Sequence, residues 1–449
     1  MIFKIDMHNK VALQTLGCKL NFSETSTIGN QFENFGFEVV DFKEKADVYL
    51  FNTCSVTENA ERECRQLVRR ALRQNPEAFI IVTGCYAQLR PEEIAKIDGV
   101  DVVLGSKEKL NLFSLINDFG KKDLACIFVS PLQDLNEFGK AQSTDADDRT
   151  RAYFKIQDGC DYKCTFCTIP LARGKSRSMK PEELISEFKH LVKSGYKEII
   201  LTGVNVGDYG TAYQTNLYTL LLKLIEVPGD FRIRISSIEP NLLSDEIINL
   251  TSQSNKMCKH FHIPLQSGSS KILKLMQRRY KVSDYQNLIE KINNKITDIG
   301  IGVDIITGFP GETENDFLET YNFLRDLPVS YLHVFTYSER PDTKAITMEG
   351  EVNAFERKRR TNMLRILSEK KKQEFYGKMI GKELEILFEA ENDHGIIKGF
   401  SSNYVRVSHK FDTSLVNEIS RVEITNVKDG NLCEGKIKGI QKSIELIAC

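Results

Sequence analysis

The sequence predicts an α/β protein in three parts: a Rossmann- or flavodoxin-like parallel sheet, a partial (β/α)6 barrel and a small all-β barrel. Three observations predict this order. Apolar runs alternate with helical stretches over residues 11–120, the same alternation recurs over residues 150–376, and short strands broken by turns fill residues 377–441. At 449 residues the chain exceeds the size at which a single core keeps growing, so several domains are expected.

The first part, residues 11–120, is predicted to be a parallel sheet with helices between its strands. Its predicted strands are Val11 to Leu16, Ala46 to Phe51, Ala78 to Val82 and Val100 to Leu104. Residues 121–149 are polar and weakly patterned, which predicts a linker with one short strand near Ile127 to Val129.

The second part, residues 150–376, alternates predicted strands with helices. The strands are Tyr153 to Ile156, Glu198 to Thr202, Phe231 to Ser236, Phe261 to Pro264, Gly302 to Thr307 and Tyr331 to Tyr337. Patterns for a seventh and an eighth repeat are missing, so we expect a partial barrel with its functional residues at the carboxyl ends of the strands. The short strands of residues 377–441 predict a small β barrel, a module that often binds oligonucleotides.

Composition restricts the kind of protein. With 41% hydrophobic and 27% charged residues, and no apolar run near the roughly 18 to 20 residues of a membrane helix, a soluble chain without a membrane partner is expected. Residues Met1 to Lys10 lack the apolar core of a signal peptide, which predicts a cytoplasmic protein. The formal net charge of -1 means that nucleic-acid binding must come from local basic patches.

Cys160, Cys164 and Cys167 form a Cys-x3-Cys-x2-Cys run directly after the first predicted barrel strand. Reduced cysteines in a cytoplasmic chain favour metal binding or catalysis over disulfide bonds. Three thiolates on one loop can hold three irons of a [4Fe-4S] cluster and leave the fourth iron open to a substrate's amino and carboxylate groups. The alternative is a zinc site whose fourth ligand lies elsewhere, for which His260 and His262 are candidates.

Cys18, Cys54 and Cys85 each follow a predicted strand of the first sheet. Because the carboxyl ends of parallel strands share one edge, these thiols can converge although they are far apart in sequence. Converging thiols indicate a second cluster. The alternative is that they are ordinary buried cysteines, which behave as small apolar residues.

Several motifs resemble those of the radical S-adenosylmethionine (SAM) methylthiotransferases, over about residues 11–441. The matching segments are Thr15 to Asn21, Asn52 to Thr57, Thr83 to Tyr86, Lys155 to Pro170, Ile263 to Ser269 and Gly308 to Thr313. Segments similar to the branch acting on N6-threonylcarbamoyladenosine at tRNA position 37 are Asn59 to Leu67, Ser236 to Pro240 and Met276 to Tyr280. The resemblance implies a three-cysteine domain, a radical SAM barrel and a C-terminal TRAM domain.

The resemblance also implies two [4Fe-4S] clusters and SAM as cofactors, with the clusters rather than a classical acid or base carrying the chemistry. Cys18, Cys54 and Cys85 would hold an auxiliary cluster associated with the inserted sulfur, and the other triad would cleave SAM. A methylthio group would be delivered to adenosine C2. The implied partners are a tRNA anticodon stem-loop and an electron donor such as flavodoxin or ferredoxin; the sequence makes no prediction about oligomeric state. Candidate SAM contacts are Phe166, Gly203, Asn205, Ser236, Glu239, Gln266 and Asp304.

Two basic helical segments are candidates for contacts with RNA phosphates. The residues concerned are Arg62, Arg69, Arg70, Arg359 and Arg360. Basic helical surfaces are commonly just solvated, and acidic residues are interspersed in both segments. The alternative that these arginines simply face solvent therefore stays open.

Other functions remain open at the level of sequence. The same chemistry could act on isopentenyladenosine or on a ribosomal-protein aspartate. The first domain could instead serve a radical enzyme only as an electron carrier or as a structural metal site. A non-catalytic RNA-binding protein is an alternative of another class, against which the intact cysteine run argues.

Overall fold

The computed structural model describes residues 9–54, 58–135, 137–142, 150–428 and 430–440. The first part is a parallel sheet in the order β2-β1-β3-β4-β5-β6. Its strands are β1 (Lys10–Thr15), β2 (Glu38–Val40), β3 (Val48–Thr53), β4 (Phe79–Gly84), β5 (Val102–Leu104) and β6 (Cys126–Phe128). Its helices are α1 (Lys19–Asn34), α2 (Glu58–Gln74), α3 (Cys85–Leu89), α4 (Pro91–Ala95) and α5 (Leu112–Leu115).

The four strands predicted in this region are present. Every residue of β3 and β4 is buried, as expected for central parallel strands covered by helices on both faces. The sequence analysis missed β2, which is three residues long and largely exposed. The short strand predicted near Ile127 is β6, which pairs with β5, so the sheet extends into the predicted linker. Residues 143–149 of that linker, and 55–57 of a cysteine motif, lie outside the described residues.

The second part is the predicted partial barrel. Its six parallel strands form two groups, β11-β10-β7 and β12-β13-β14, joined by a parallel bridge between Ile233 and Met257. The strands are β7 (Arg151–Lys155), β10 (Glu198–Thr202), β11 (Arg232–Ile235), β12 (His260–His262), β13 (Gly300–Thr307) and β14 (Tyr331–Thr336), with a small hairpin of β8 (Gln157–Asp158) and β9 (Arg177–Ser178).

Helices cover the outside of this barrel and pack on its apolar core. They are α7 (Pro181–Lys193), α8 (Leu217–Ile225), α9 (Asp245–Gln253), α10 (Ser270–Leu275), α11 (Val282–Lys295), α12 (Glu314–Asp326) and the long α13 (Ala354–Gly377). The short helix α6 (Ile169–Arg173) instead lies against α3 of the first sheet.

The third part is a closed barrel in the order β15-β16-β17-β19-β18. Its strands are β15 (Glu383–Asp393), β16 (Ile396–Ser401), β17 (Arg406–Lys410), β18 (Ile419–Lys428) and β19 (Leu432–Ile440). It packs against the amino ends of the larger barrel's strands: Arg232 donates to the carbonyl of Phe400, and Arg234 to the carbonyls of Ser401 and Ser402. The carboxyl ends are therefore left for the site.

The first sheet docks at those carboxyl ends. Ser106, beyond β5, donates to the carbonyl of Ala172 in α6, and Arg90 forms an ion pair with Asp342 at 2.7 Å. The edge of the sheet that carries three of the predicted cysteines thus lies against the barrel loop that carries the other three.

Candidate active site between two cysteine triads

The barrel triad lies on the loop after β8. The backbone N–H of Cys167 donates to the carbonyl of Cys164 at 3.1 Å, and the three thiols are close enough to interact electrostatically. Gln157 fixes the start of the loop, since its Nε2 donates to the carbonyl of Gly159 at 2.8 Å and its Oε1 accepts from the backbone N–H of Asn205. These hydrogen bonds hold the loop on the barrel through a residue outside the cysteine motif.

An arginine is bonded directly to this triad. Nη1 of Arg278 lies 3.2 Å from Sγ of Cys164, Nη2 forms an ion pair with Glu239, and Nε donates to the hydroxyl of Tyr280 at 3.0 Å. Glu239, which the sequence analysis proposed as a SAM contact, thus forms an ion pair with the arginine that contacts Cys164.

The other triad stands at the carboxyl edge of the first sheet. Cys18 follows β1 and precedes α1, Cys54 follows β3, and Cys85 follows β4 as the first residue of α3. Gly17 has φ +107°, and a Cβ there would lie 2.9 Å from Sγ of Cys54. Gly84 has φ +100°, and its Cβ would meet the carbonyl before Cys54 at 2.2 Å. Only glycine allows the three loops to converge so closely.

Asparagines tie these loops together. Nδ2 of Asn21 donates to the carbonyls of Leu16 and Thr53, which precede two of the cysteines by one or two residues. Nδ2 of Asn52 donates to the carbonyl of Asn21. Both asparagines are fully buried, so the triad rests on a preformed polar frame.

Arg340 lies near a cysteine of each triad, since it interacts electrostatically with both Cys167 and Cys54. Its Nε is buried and has no hydrogen-bond partner among the described residues. A buried donor without a partner is costly, which indicates that a bound group completes its hydrogen bonding.

Beside Arg340 opens a cavity of about 690 Å³. Its walls include Phe166, Cys167, Gln266 and Asp304, so three of the predicted SAM contacts come together with a cysteine of the barrel triad. Oδ1 of Asp304 is bonded to Nε2 of His262 at 2.9 Å. The volume suits a ligand of the size of a nucleoside cofactor.

The other predicted SAM contacts do not line this cavity. Gly203 and Asn205 follow β10 and pack against Gln157, while Ser236 follows β11 and is largely buried. Oδ1 of Asn205 is buried without a partner in the described parts of the chain. All seven assignments therefore stay predictions: three residues line the cavity, Gly203 and Asn205 lie at Gln157, Glu239 pairs with Arg278, and Ser236 follows β11.

One of the proposed RNA contacts is wrong. Arg360 is buried, and its guanidinium forms an ion pair with Glu312 at 2.8 Å, which removes it from the surface. Arg359 is half-exposed but paired with Glu314 and Glu356. The remaining three, Arg62, Arg69 and Arg70, are exposed on α2. Two other cations of the same basic helical segment, Lys358 and Arg365, line the cavity.

The arginines at positions 173, 278 and 340 are the main residues that sequence reasoning missed. Arg278 lies within a motif that the sequence analysis quoted, and Arg173 follows Cys167 by one short helix. Proximity to a cysteine motif was the only signal available, because the partners of Arg173 lie in the other domain.

Both triads fit an iron-sulfur cluster. All six cysteines are free thiols, and each triad receives an arginine N–H on one sulfur. In the described ranges, no group of three or more His, Cys, Asp or Glu side chains is arranged to hold a single metal ion. Nε2 of His260 and of His262, the candidates for a zinc ligand, are bonded to Tyr331 and Asp304. No helix among the described residues could cross a membrane.

Comparison with known proteins matches both halves of this site. Residues 154–324 match the Radical SAM superfamily, and residues 10–105 match Uncharacterized protein family UPF0004. Radical SAM proteins use an iron-sulfur cluster together with SAM, and the barrel triad and cavity are where this chain has residues for them. The radical SAM methyltransferase TsrM from Kitasatospora setae shares the fold, with a TM-score of 0.54 and 14% identity over 76% of this chain and 77% of TsrM.

Sequence relatives extend over nearly the whole chain. The "threonylcarbamoyladenosine tRNA methylthiotransferase MtaB" of Bacillus subtilis is 40% identical, over 92% of this chain and 93% of the relative. The protein of the same name from Aquifex aeolicus is 40% identical over 89% and 97%. A "tRNA-2-methylthio-N(6)-dimethylallyladenosine synthase" of Thermoanaerobacter is 34% identical over 93% and 90%. With this identity over the full set of domains, the chain belongs to the radical SAM methylthiotransferase family.

Proposed function

We propose that this chain installs a methylthio group on C2 of N6-threonylcarbamoyladenosine at position 37 of tRNA, using SAM and two [4Fe-4S] clusters. The observation that carries the proposal is that both cysteine triads lie at one domain junction, where Arg173 of the barrel contacts Cys85 of the first sheet, beside a cavity large enough for a nucleoside. The names of the relatives at 40% identity support the choice of threonylcarbamoyladenosine.

Cys160, Cys164 and Cys167 would hold the radical cluster, and Cys18, Cys54 and Cys85 the auxiliary one. When bound, the clusters and SAM supply the radical that activates adenosine C2 and the methylated sulfur that is inserted there. Two clusters explain why the chain builds two separate sets of three thiols, each with room for one ligand that the protein does not provide.

The task of the protein is to bind and orient the reacting groups. Phe166 presents an aromatic ring to the cavity for stacking on a base, and Gln266 and Asp304 present polar atoms at the carboxyl ends of barrel strands. Burial works against ionisation of Asp304, but His262 outweighs it and holds the pKa of this carboxyl below its usual range. Asp304 is therefore a hydrogen-bond acceptor at neutral pH, suited to a ribose hydroxyl or an ammonium group.

RNA would approach the mouth of the cavity along α13. Lys358 and Arg365 line the cavity and form no ion pair with a described residue, whereas the neighbouring Arg357, Arg359 and Arg360 are all paired. Unpaired cations beside a nucleoside-sized cavity are suited to the phosphates that flank an inserted base. A one-electron donor such as flavodoxin or ferredoxin is required by the same chemistry.

The test is an anaerobic reaction of the reconstituted full-length chain with SAM, a reductant and tRNA that lacks the methylthio group, followed by mass spectrometry of the nucleosides. The proposal predicts a methylthio increment on threonylcarbamoyladenosine. Replacing Cys160, Cys164 and Cys167 with Ala should abolish formation of 5′-deoxyadenosine, and the same change at Cys18, Cys54 and Cys85 should abolish only the increment. Product formation by either variant would contradict the roles assigned to its cysteines.

A further inference from the structure

We propose that Arg173 is a positioning residue that couples the two cysteine triads and, through a hydrogen bond to Cys85, sets the reduction potential of the auxiliary centre. The inference rests on the two-cluster part of the proposed function. It concerns a residue that belongs to the radical barrel but reaches into the other domain.

Arg173 and the next residue, Gly174, together contact both triads. Arg173 is the last residue of α6, the helix that follows Cys167, and its Nε donates to Sγ of Cys85 at 3.3 Å. The next carbonyl, that of Gly174, accepts the backbone N–H of Cys160 at 3.1 Å. A displacement of this segment would therefore disturb two hydrogen bonds at once, the one to Cys160 in the barrel triad and the one to Cys85 in the other triad.

The guanidinium uses all its nitrogens in the interface between the domains. Nη2 donates to Oδ1 of Asn21 at 2.7 Å, and Nη1 and Nη2 donate to the carboxylate of Glu24 at 2.9 and 3.0 Å. Nη1 also donates to Asp158 at 3.0 Å. Asn21 is the residue that holds the loops before Cys18 and Cys54, so Arg173 braces the whole auxiliary triad.

The buried charges around Arg173 do not cancel. Three cations, Lys109, Lys155 and Arg173, meet two carboxylates, Glu24 and Asp158, all with side chains no more than 4% exposed. The less buried Arg177 also pairs with Asp158, so positive charge is in excess. A buried surplus charge is costly unless an anion lies beside it. The anion at hand is the set of deprotonated thiols that a cluster requires, and Cys18 and Cys85 both interact electrostatically with Arg173.

A purely structural ion pair would not need the bond to sulfur. Hydrogen bonds to cluster sulfurs and nearby positive charge favour the reduced form, so they raise the reduction potential. Arg173 supplies both effects to one ligand of the auxiliary triad. Loss of its N–H should therefore lower the potential of that centre even where the domains remain docked.

The experiment uses the full-length chain with Cys160, Cys164 and Cys167 replaced by Ala, so that only the auxiliary centre remains. Anaerobic reconstitution is followed by iron analysis, electron paramagnetic resonance and redox titration. This background should bind about four irons per chain. Failure to bind them would contradict the two-cluster proposal itself, which separates that failure from the failure of this inference.

Arg173→Lys keeps a charge opposite Glu24 but loses the planar fork, and Arg173→Gln loses the charge as well. Both substitutions should lower the midpoint potential. For Arg173→Lys we expect at least a tenfold change in the reduction equilibrium, which is about 59 mV for one electron. The decrease for Arg173→Gln should be larger. The control is Arg234→Lys, an equally buried arginine whose hydrogen bonds go to Glu198 and to carbonyls of Ser401 and Ser402. It should cost stability without moving the potential.

The inference is overturned if Arg173→Lys keeps its iron and shows the midpoint and spectrum of the background. A second measurement needs no variant: in the background labelled with ¹⁵N-arginine, the reduced centre should show a magnetic coupling to ¹⁵N in pulsed electron paramagnetic resonance. Absence of that coupling would exclude the hydrogen bond, so the inference can fail even if substitutions at Arg173 prevent folding.

Discussion

The guanidinium of Arg278 is hydrogen-bonded to the thiol of Cys164, with 3.2 Å between Nη1 and Sγ. Its other nitrogens are occupied by Glu239 and Tyr280, so its direction is fixed before any metal binds. The barrel triad is thus preorganised by groups outside the cysteine motif, as is usual for metal sites whose ligands are oriented by a surrounding set of hydrogen bonds.

Replacing Arg278 with Gln should weaken the radical centre. Loss of the N–H to Cys164 and of the ion pair to Glu239 is expected to reduce iron retention or the rate of 5′-deoxyadenosine formation by about 10- to 100-fold. The measurement is SAM cleavage by the reconstituted variant, with iron analysis. Arg279→Gln is the matched control, because that neighbour is exposed and stacks on Tyr162 without touching a cysteine. Equal behaviour of the two variants would remove Arg278 from the site.

Replacing Glu24 with Gln should destabilise the junction between the domains. Glu24 is fully buried and forms ion pairs with Lys109, Lys155 and Arg173. Loss of its negative charge therefore removes one ion pair from each of these three cations. Breaking a buried ion pair in this way costs roughly 3 to 5 kcal/mol of the free energy of unfolding. Urea denaturation checks this. Asp326→Asn, which removes an exposed pair with Arg325, should leave the unfolding midpoint unchanged.

The stability that Glu24 contributes should depend on pH. Burial would raise the pKa of Glu24, but Arg173, Lys109 and Lys155 outweigh it and hold the pKa well below its usual range. The stabilisation is therefore complete above the unfolded value of about 4.3 and is lost as pH falls through the folded value. The native chain should lose stability below about pH 4 more steeply than Glu24→Gln. Parallel curves for the two proteins would contradict the assignment.

Thiols of the barrel triad should react slowly in the metal-free chain. Burial raises the pKa of Cys160 to about 12 and that of Cys167 to about 11. Since the thiolate is the reactive form, labelling by iodoacetamide at pH 8 should be slow and should rise about tenfold per pH unit below those values. Mass spectrometry of the labelled peptides measures this, with the urea-unfolded chain as control. Rapid labelling of both thiols in the folded chain at pH 8 would contradict the raised pKa values.

Lys358 and Arg365 should contribute phosphate contacts. Replacing either with Glu is expected to weaken binding of an anticodon stem-loop and to reduce the slope of log affinity against log salt by about one. Fluorescence anisotropy over a range of salt concentrations provides the measurement. Arg359→Gln is the control, since that side chain is already paired with Glu314 and Glu356. A salt slope unaffected by either Lys358→Glu or Arg365→Glu would place the RNA elsewhere.

Much of this architecture could be predicted because it follows local pattern. The apolar runs of β3 and β4 are continuous, and the sequence shows a cysteine directly after each of these strands. The arginines were not predictable in the same way. Arg173 forms hydrogen bonds with Asn21, Glu24 and Cys85, which belong to the other domain. Local periodicity in the sequence carries no information about contacts between domains.

Arg360 failed as a surface prediction for a related physical reason. Helix α13 is charged on most of its faces, so its sequence does not show which side is covered. In the structure it packs on β14 and α12, which buries Arg360 against Glu312 and leaves Lys358 and Arg365 facing the cavity. Charge density therefore located the basic helix but not which of its cations are exposed.

The most direct test of the central claim is a competition between two substrates. One anaerobic reaction would contain the reconstituted chain, SAM, a reductant and equal amounts of anticodon stem-loops bearing either threonylcarbamoyladenosine or isopentenyladenosine at position 37. Mass spectrometry of the digested nucleosides would then compare the two products. The account predicts a methylthio increment on threonylcarbamoyladenosine, while an increment on isopentenyladenosine alone would contradict it.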